Sequence, residues 1–158
     1  MSTEQSVDYY LEDLPPGFSR SGGQWLLTAE DIIEFAKIYD PLPIHVDREA
    51  ARNSQFGCLI AAGTHLLAIA SALNHQLQGR NRYQFVAGLG YDNFTFVAPG
   101  KEGDILSLKM EVISSRRSNS DPRKGIVEIA QTLLNQHGET VISTRGKAMM
   151  WARPVATG

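Results

Sequence analysis

Leu59-Ile60-Ala61-Ala62-Gly63-Thr64-His65-Leu66-Leu67-Ala68-Ile69-Ala70-Ser71-Ala72-Leu73 is the segment on which the architecture turns. Its apolar residues fall on nearly every side of a helix running from about Leu59 to Leu77, interrupted by Thr64, His65, Ser71, Asn74 and His75. A helix without a polar face is buried on most sides, in a protein core or in a membrane. The uninterrupted apolar run falls well short of the ~20 residues that a bilayer needs. The helix therefore belongs in a core whose walls other elements supply.

Those elements are strands. Phe85 to Val97 is aromatic and β-branched, with Gly88 and Gly90 inside it. Leu106, Leu108, Met110 and Val112 alternate with Ser107, Lys109 and Glu111, the period of two of a half-buried strand. Ile126 to Leu134 and Thr140 to Trp151 form a further pair across Gln136-His137-Gly138-Glu139, and Arg116 to Gly125 reads as a longer exposed loop. Upstream, Gln24 to Thr28 is a short strand. Thr28 then caps a helix to about Tyr39, with Glu30 and Asp31 in its first turn and Ile32, Ile33, Phe35, Ala36 and Ile38 as its apolar stripe. Residues 1–22, broken by Pro15-Pro16-Gly17 and Gly22-Gly23, are expected as a surface-lying lead-in, residues 23–153 as a single domain and 154–158 as a tail. One long apolar helix and a run of antiparallel strands pack with the helix in the concavity of the sheet. That is an α+β hotdog fold, a curved antiparallel sheet wrapped around a long central helix. An edge strand in so small a sheet stays unpaired unless a second subunit covers it, which predicts a dimer.

Composition narrows the function. A chain of 158 residues with 42% hydrophobic and 20% charged residues and a net charge of −2 has an ordinary globular profile, and offers no electrostatic case for nucleic acid or an anionic membrane surface. The single cysteine, Cys58, excludes an internal disulfide, and no histidine pair has the spacing and companions of a metal site. The polar start Met1-Ser2-Thr3-Glu4-Gln5 lacks an apolar signal stretch, so a cytoplasmic location is expected.

The chemistry sits just before the buried helix. Asp40-Pro41-Leu42-Pro43-Ile44-His45-Val46-Asp47 supplies an acid and a base, and Gly63 offers a bare helix start whose N–H groups suit a developing oxyanion. Asp40-Pro41 ends the preceding helix, because a residue before proline is pushed out of the α region. Fully extended backbone at ~3.3 Å per residue would hold Asp40 and His45 roughly 16 Å apart on opposite faces, so the chain must curl between them. Asp47, an N-cap for a short helix through Ala50, Ala51 and Arg52, is the expected turning place.

The same residues resemble the signature of the MaoC-like (R)-specific enoyl-CoA hydratases: Asp40 with His45 five residues on, then Phe56-Gly57 and Ala61-Ala62-Gly63. The resemblance continues through Gly88-Leu89-Gly90-Tyr91-Asp92 and Pro99-Gly100-Lys101-Glu102-Gly103-Asp104, and covers roughly residues 8–152. It implies a hydro-lyase, an enoyl-CoA hydratase or 3-hydroxyacyl-CoA dehydratase, that adds water to a trans-2-enoyl thioester to give the (R)-3-hydroxyacyl thioester, or the reverse. Asp40 and His45 would share the catalytic water, and the Gly63 N–H would hold the thioester oxygen. The resemblance also implies an acyl-CoA or acyl carrier protein thioester as partner and a homodimer or dimer of dimers; composition and spacing add the expectation of no nucleic acid, no membrane and no metal. No cofactor is expected, coenzyme A being part of the substrate, and no residue is singled out for holding it.

Two positions depart from the usual pattern: Leu42 stands where asparagine is usual, and Ala62 where histidine is frequent. Two other readings therefore stay open. One is a hotdog acyl-CoA thioesterase with Asp40 as base or nucleophile; the other is a non-catalytic acyl-thioester-binding subunit. Tyr91, Asp92 and Asn93 line an acyl tunnel or pack a strand, and Asp104 reads as a turn residue.

Overall fold

The structure, a computed structural model, describes residues 6–155. Residues 1–5 of the expected lead-in and 156–158 of the expected tail lie outside the described residues. Five strands form one antiparallel sheet: β2 (Ser19–Leu26), β4 (Phe85–Phe96), β5 (Ile105–Arg117), β6 (Lys124–Leu134) and β7 (Thr140–Trp151), in the order β2-β5-β6-β7-β4. Two short parallel strands, β1 (Asp8–Tyr9) and β3 (Arg82–Tyr83), pair separately. The helices are α1 (Ala29–Tyr39), α2 (Pro43–Val46), α3 (Arg48–Arg52) and the central α4 (Gly63–Gln78). This is the expected α+β hotdog arrangement: Leu66, Ile69, Ala70 and Leu73 of α4 are buried against Leu106, Leu108, Leu133, Val141 and Ile142 on the concave face of the sheet.

Local signals locate α1 correctly. Thr28 Oγ1 accepts from the Asp31 N–H at 3.1 Å, and the helix stops at Tyr39 before Asp40-Pro41. Its apolar stripe is narrower than expected: Ile32 and Ala36 are buried, whereas Ile38 is exposed. Asp47 caps α3 as predicted, accepting from the Glu49 and Ala50 N–H groups.

Several expectations are corrected. The apolar run predicts a helix from Leu59, but α4 starts at Gly63. Residues 59–62 run extended instead, because Ile60 bridges to Lys101 and the Ala61 N–H donates to the Gly100 carbonyl at 2.8 Å. Nor is α4 buried all round, since Thr64, Ala68, Ser71 and His75 form a more exposed stripe at helical spacing. The lead-in is not a surface segment. Leu11 and Leu14 are buried with Met110, Val112, Val127 and Met150, closing the end of the concave face that α4 leaves uncovered. β2 already begins at Ser19, absorbing Gly22-Gly23 as a register shift with φ of 136° and 72°.

Arg20 ties the lead-in to the core. Its guanidinium lies 5.2, 5.4 and 5.3 Å from the ring centroids of Tyr9, Phe18 and Tyr83, and donates to the Leu77 carbonyl in the last turn of α4 at 2.9 Å. A cation there complements the helix dipole and satisfies a carbonyl that the helix cannot. The loop read at 116–125 is also shorter than expected, because Arg116 and Arg117 pair with Ile126 and Gly125.

β4 lines the open side of α4. It is an edge strand of 12 residues with three register shifts against β7, between Phe85 and Ala87, Gly88 and Gly90, and Tyr91 and Asn93. Each shift leaves one residue extra and raises the local twist. Phe85, Gly88, Tyr91, Phe94 and Phe96 pair with Met150, Ala148, Gly146, Thr144 and Ile142, which lie on the concave side.

Candidate active site

Pro41 and Pro43 shape the loop that joins acid to base. Asp40 leaves α1 at φ −158°, and its carbonyl accepts from the Leu42 N–H at 2.8 Å. Pro43 then takes the first helical position of α2, where its missing N–H costs nothing. The curl thus happens at Pro43–Val46, one turn earlier than the Asp47 cap suggests. That single turn brings His45 Nε2 to 3.7 Å from Asp40 Oδ2.

The tautomer of His45 is set by its other nitrogen. Nδ1 lies 2.7 Å from the Ile60 carbonyl oxygen, which can only accept, so Nδ1 carries the hydrogen and Nε2 of the neutral ring presents a lone pair. Ile60 is held in place because its own N–H donates to the Ile44 carbonyl. Two acceptors, Nε2 and Oδ2, therefore face each other across a gap too long for a direct hydrogen bond. The gap suits a small donor with two hydrogens. The His45 side chain is 7% exposed and that of Asp40 40%, so His45 is fixed in the wall and Asp40 sits nearer solvent.

Gly63 opens α4 without a side-chain cap, as Ala62 stands at the N-cap position. Among the described residues the Gly63 and Thr64 N–H groups have no acceptor, whereas those of His65 and Leu66 both donate to the Ala62 carbonyl. The start of this 16-residue helix thus presents free donors at its positive end. A Cβ at position 63 would overlap Cζ of Phe96, so glycine lets that ring lie over the helix start. His45 and Gly63 share one cavity of about 300 Å³, lined also by Phe56, Ile60, Ala61, Leu66 and Phe96. Asp40 is not in its wall and meets it only through the gap before Nε2. The arrangement can polarise one water molecule between two acceptors and receive a negatively charged oxygen at a helix N-terminus.

The other candidate residues have structural places. Leu42 is exposed beside Asp40. Asp92 pairs with Lys147 at 2.5 Å, Asn93 accepts from the Thr95 hydroxyl, and Tyr91 packs over Gly146. Asp104 is a turn residue, buried while accepting from the Lys101 N–H and from Gln136. No cluster of three metal-ligating side chains occurs among the described residues, and no helix there is long and apolar enough to cross a membrane. Two contributors to the site escape sequence reading: the Ile60 carbonyl that orients His45, and Phe96 over Gly63. Both act across long sequence separations that leave no local pattern.

His65, one turn into α4, is 5% exposed and stacked on Phe35 with ring centroids 4.4 Å apart, and its Nδ1 has no partner. Burial lowers its pKa below 6.5, with the Asp31 carboxylate opposing the shift. A lowered folded-state pKa means that the unfolded chain binds the proton more readily. This contribution to stability is therefore complete above about 6.5 and is lost as pH falls below it. Urea midpoints are expected to fall between about pH 7.5 and 5.5, and to fall less in His65→Phe, which keeps the stack and removes the titration. Equal slopes in the two proteins would contradict this.

Comparison with known proteins shows the family and the fold. The family description "MaoC like domain" matches residues 23–135. A MaoC-like dehydratase from Rhodospirillum rubrum superimposes with a TM-score of 0.81 at 33% identity, covering 93% of this chain and 99% of that one. A monoamine oxidase regulatory protein from Archaeoglobus fulgidus gives 0.85 at 28% identity over 94% and 99% of the two chains. The (R)-hydratase PhaJ1 from Pseudomonas aeruginosa shares the fold, with a TM-score of 0.69 at 21% identity over 94% and 96%. The chain belongs to the MaoC-like dehydratase domain family.

Proposed function

We propose that the protein is a hydro-lyase that adds water to a trans-2-enoyl thioester, giving the (R)-3-hydroxyacyl thioester, and catalyses the reverse elimination. The observation that carries this reading is the pair of facing acceptors, His45 Nε2 and Asp40 Oδ2 at 3.7 Å, beside the free N–H groups of α4. A water in the gap donates one hydrogen to each acceptor. Its oxygen attacks the β-carbon while His45 Nε2 takes the proton. The π electrons move through the α-carbon to the thioester oxygen, which the Gly63 N–H receives. The imidazolium, paired with the Asp40 carboxylate, then returns its proton to the α-carbon. Water and the thioester balance the reaction, so coenzyme A or an acyl carrier protein enters only as the handle of the substrate.

The test follows enoyl absorbance and free thiol together across short, long and branched enoyl-CoA substrates. Loss of enoyl absorbance without thiol release is expected. Thiol release would instead indicate a thioesterase, and tight acyl-CoA binding without turnover a binding subunit.

The same reading includes a homodimer along β4. The outer edge of β4 is unpaired among the described residues, and the strand carries exposed Val86, Leu89, Tyr91 and Phe96, a combination that single-chain proteins avoid. Sedimentation equilibrium is expected to give twice the chain mass, and a Leu89→Lys variant half of that. A monomeric wild type would contradict it.

A further inference from the structure

A second cavity, of about 360 Å³, lies between α4 and strands β4, β6 and β7, and falls in the size range of small-molecule pockets, about 300–1,000 Å³. It has no lining residue in common with the cavity that His45 and Gly63 share, but both lie along α4. Leu66 lines the first cavity and Leu67 the second, and an aromatic row along β4 runs from one to the other: Phe96 meets Phe94 edge-on at 4.9 Å, and Phe94 meets Tyr91 at 6.1 Å. At a rise of about 1.5 Å per residue, Leu67 stands about 6 Å along α4 from Gly63, Ser71 about 12 Å and Asn74 about 16 Å.

One stripe of its wall is polar. Leu67, Ser71, Asn74 and Gln78 follow one another along a single helical stripe, and only the first is apolar. Gln131 faces them from β6. Among the described residues, none of the side chains of Ser71, Asn74, Gln78 and Gln131 hydrogen-bonds to another protein group. The wall has one residue of fixed charge, Lys147, whose ammonium is engaged by Asp92 at 2.5 Å. Gly88 is exposed, and a Cβ there would meet nothing within 4 Å. A plain alkyl tail entering here would strip water from uncommitted amides and a hydroxyl and return no hydrogen bond.

Resting on the hydratase reading for the position of the thioester, we propose that the cavity selects acyl groups bearing a neutral hydroxyl or carbonyl remote from the thioester, received by Ser71, Asn74 and Gln131. With Lys147 engaged by Asp92, His75 is the remaining basic side chain of the wall.

Titration calorimetry with decanoyl-CoA and 10-hydroxydecanoyl-CoA tests this without turnover, and kcat/KM for the matching trans-2-enoyl thioesters tests it with turnover. Wild type is expected to favour the hydroxylated compound about tenfold or more. Asn74→Leu and, independently, Gln131→Leu, each checked for folding by circular dichroism, are expected to shrink or invert that ratio. Equal or tighter binding of the alkyl compound by wild type, no binding of either compound, or a ratio that neither variant moves would overturn the proposal. Preferential binding without turnover would overturn the hydratase reading and leave the selectivity standing. Turnover without preference would do the opposite.

Discussion

Asp40→Asn and His45→Ala are each expected to lower kcat on crotonyl-CoA by about 100- to 10,000-fold, the usual range for a positioned proton-transfer group. The two losses differ in origin. Alanine at 45 removes the proposed acceptor for the water proton and leaves the Ile60 carbonyl, which accepts from Nδ1–H at 2.7 Å in the native protein, without that partner. Some destabilisation accompanies it, since an unpaired buried acceptor costs about 1–3 kcal/mol. Asparagine at 40 keeps size and fold, because the Asp40 side chain makes no hydrogen bond among the described residues and only approaches His45. It loses the charge that stabilises the imidazolium and can turn an NH2 group toward Nε2, filling the gap that water needs. Asp40→Asn is therefore the cleaner variant: unchanged thermal unfolding, unchanged butyryl-CoA binding and a collapsed kcat. A variant retaining more than about a tenth of wild-type kcat would remove Asp40 from the reaction.

Gly63→Ala is expected to cost about 100- to 1,000-fold in kcat, comparable to losing an oxyanion donor, although alanine keeps its N–H. The reason is steric. The new Cβ would overlap both Cζ and Cε1 of Phe96. Phe96 is an exposed side chain that yields by rotating, so its ring moves across the shared cavity rather than unfolding the helix. Rescue distinguishes this from a folding defect. Adding Phe96→Ala removes the obstacle, and the double variant is expected to recover at least about tenfold over Gly63→Ala. Recovery in neither kcat nor KM would show that Gly63 serves only close packing.

Much of this architecture is legible in the sequence where the signals are local. Thr28, Asp40-Pro41 and Asp47 mark helix ends through their own side chains and rings, and the ends fall there. The alternation from Leu106 to Val112 places β5 with its apolar face inward. The rest depends on distant partners. Leu59-Ile60-Ala61 reads as helix until Gly100 and Lys101 arrive to pair with it. Leu11 and Leu14 look like lead-in residues because the gap they fill lies among Met110, Val112 and Met150. The acid and base are visible as residue types in a suggestive spacing, but the hydrogen on Nδ1 is set by the Ile60 carbonyl, which no side-chain pattern reveals. The second cavity is equally hidden: Ser71 and Asn74 read as interruptions of an apolar helix, and only the open side of β4 gives them a shared space.

The proposed addition of one water, held between His45 and Asp40, across the double bond of an enoyl thioester would leave a stereochemical and isotopic record. Hydration of crotonyl-CoA in deuterium oxide, with the product followed by nuclear magnetic resonance and chiral chromatography, reads both. A single deuterium at the α-carbon and the (R) configuration at the β-carbon are predicted, because His45 delivers from one fixed face. Free crotonate with no deuterium at the α-carbon, or a racemic 3-hydroxy product, would contradict that mechanism.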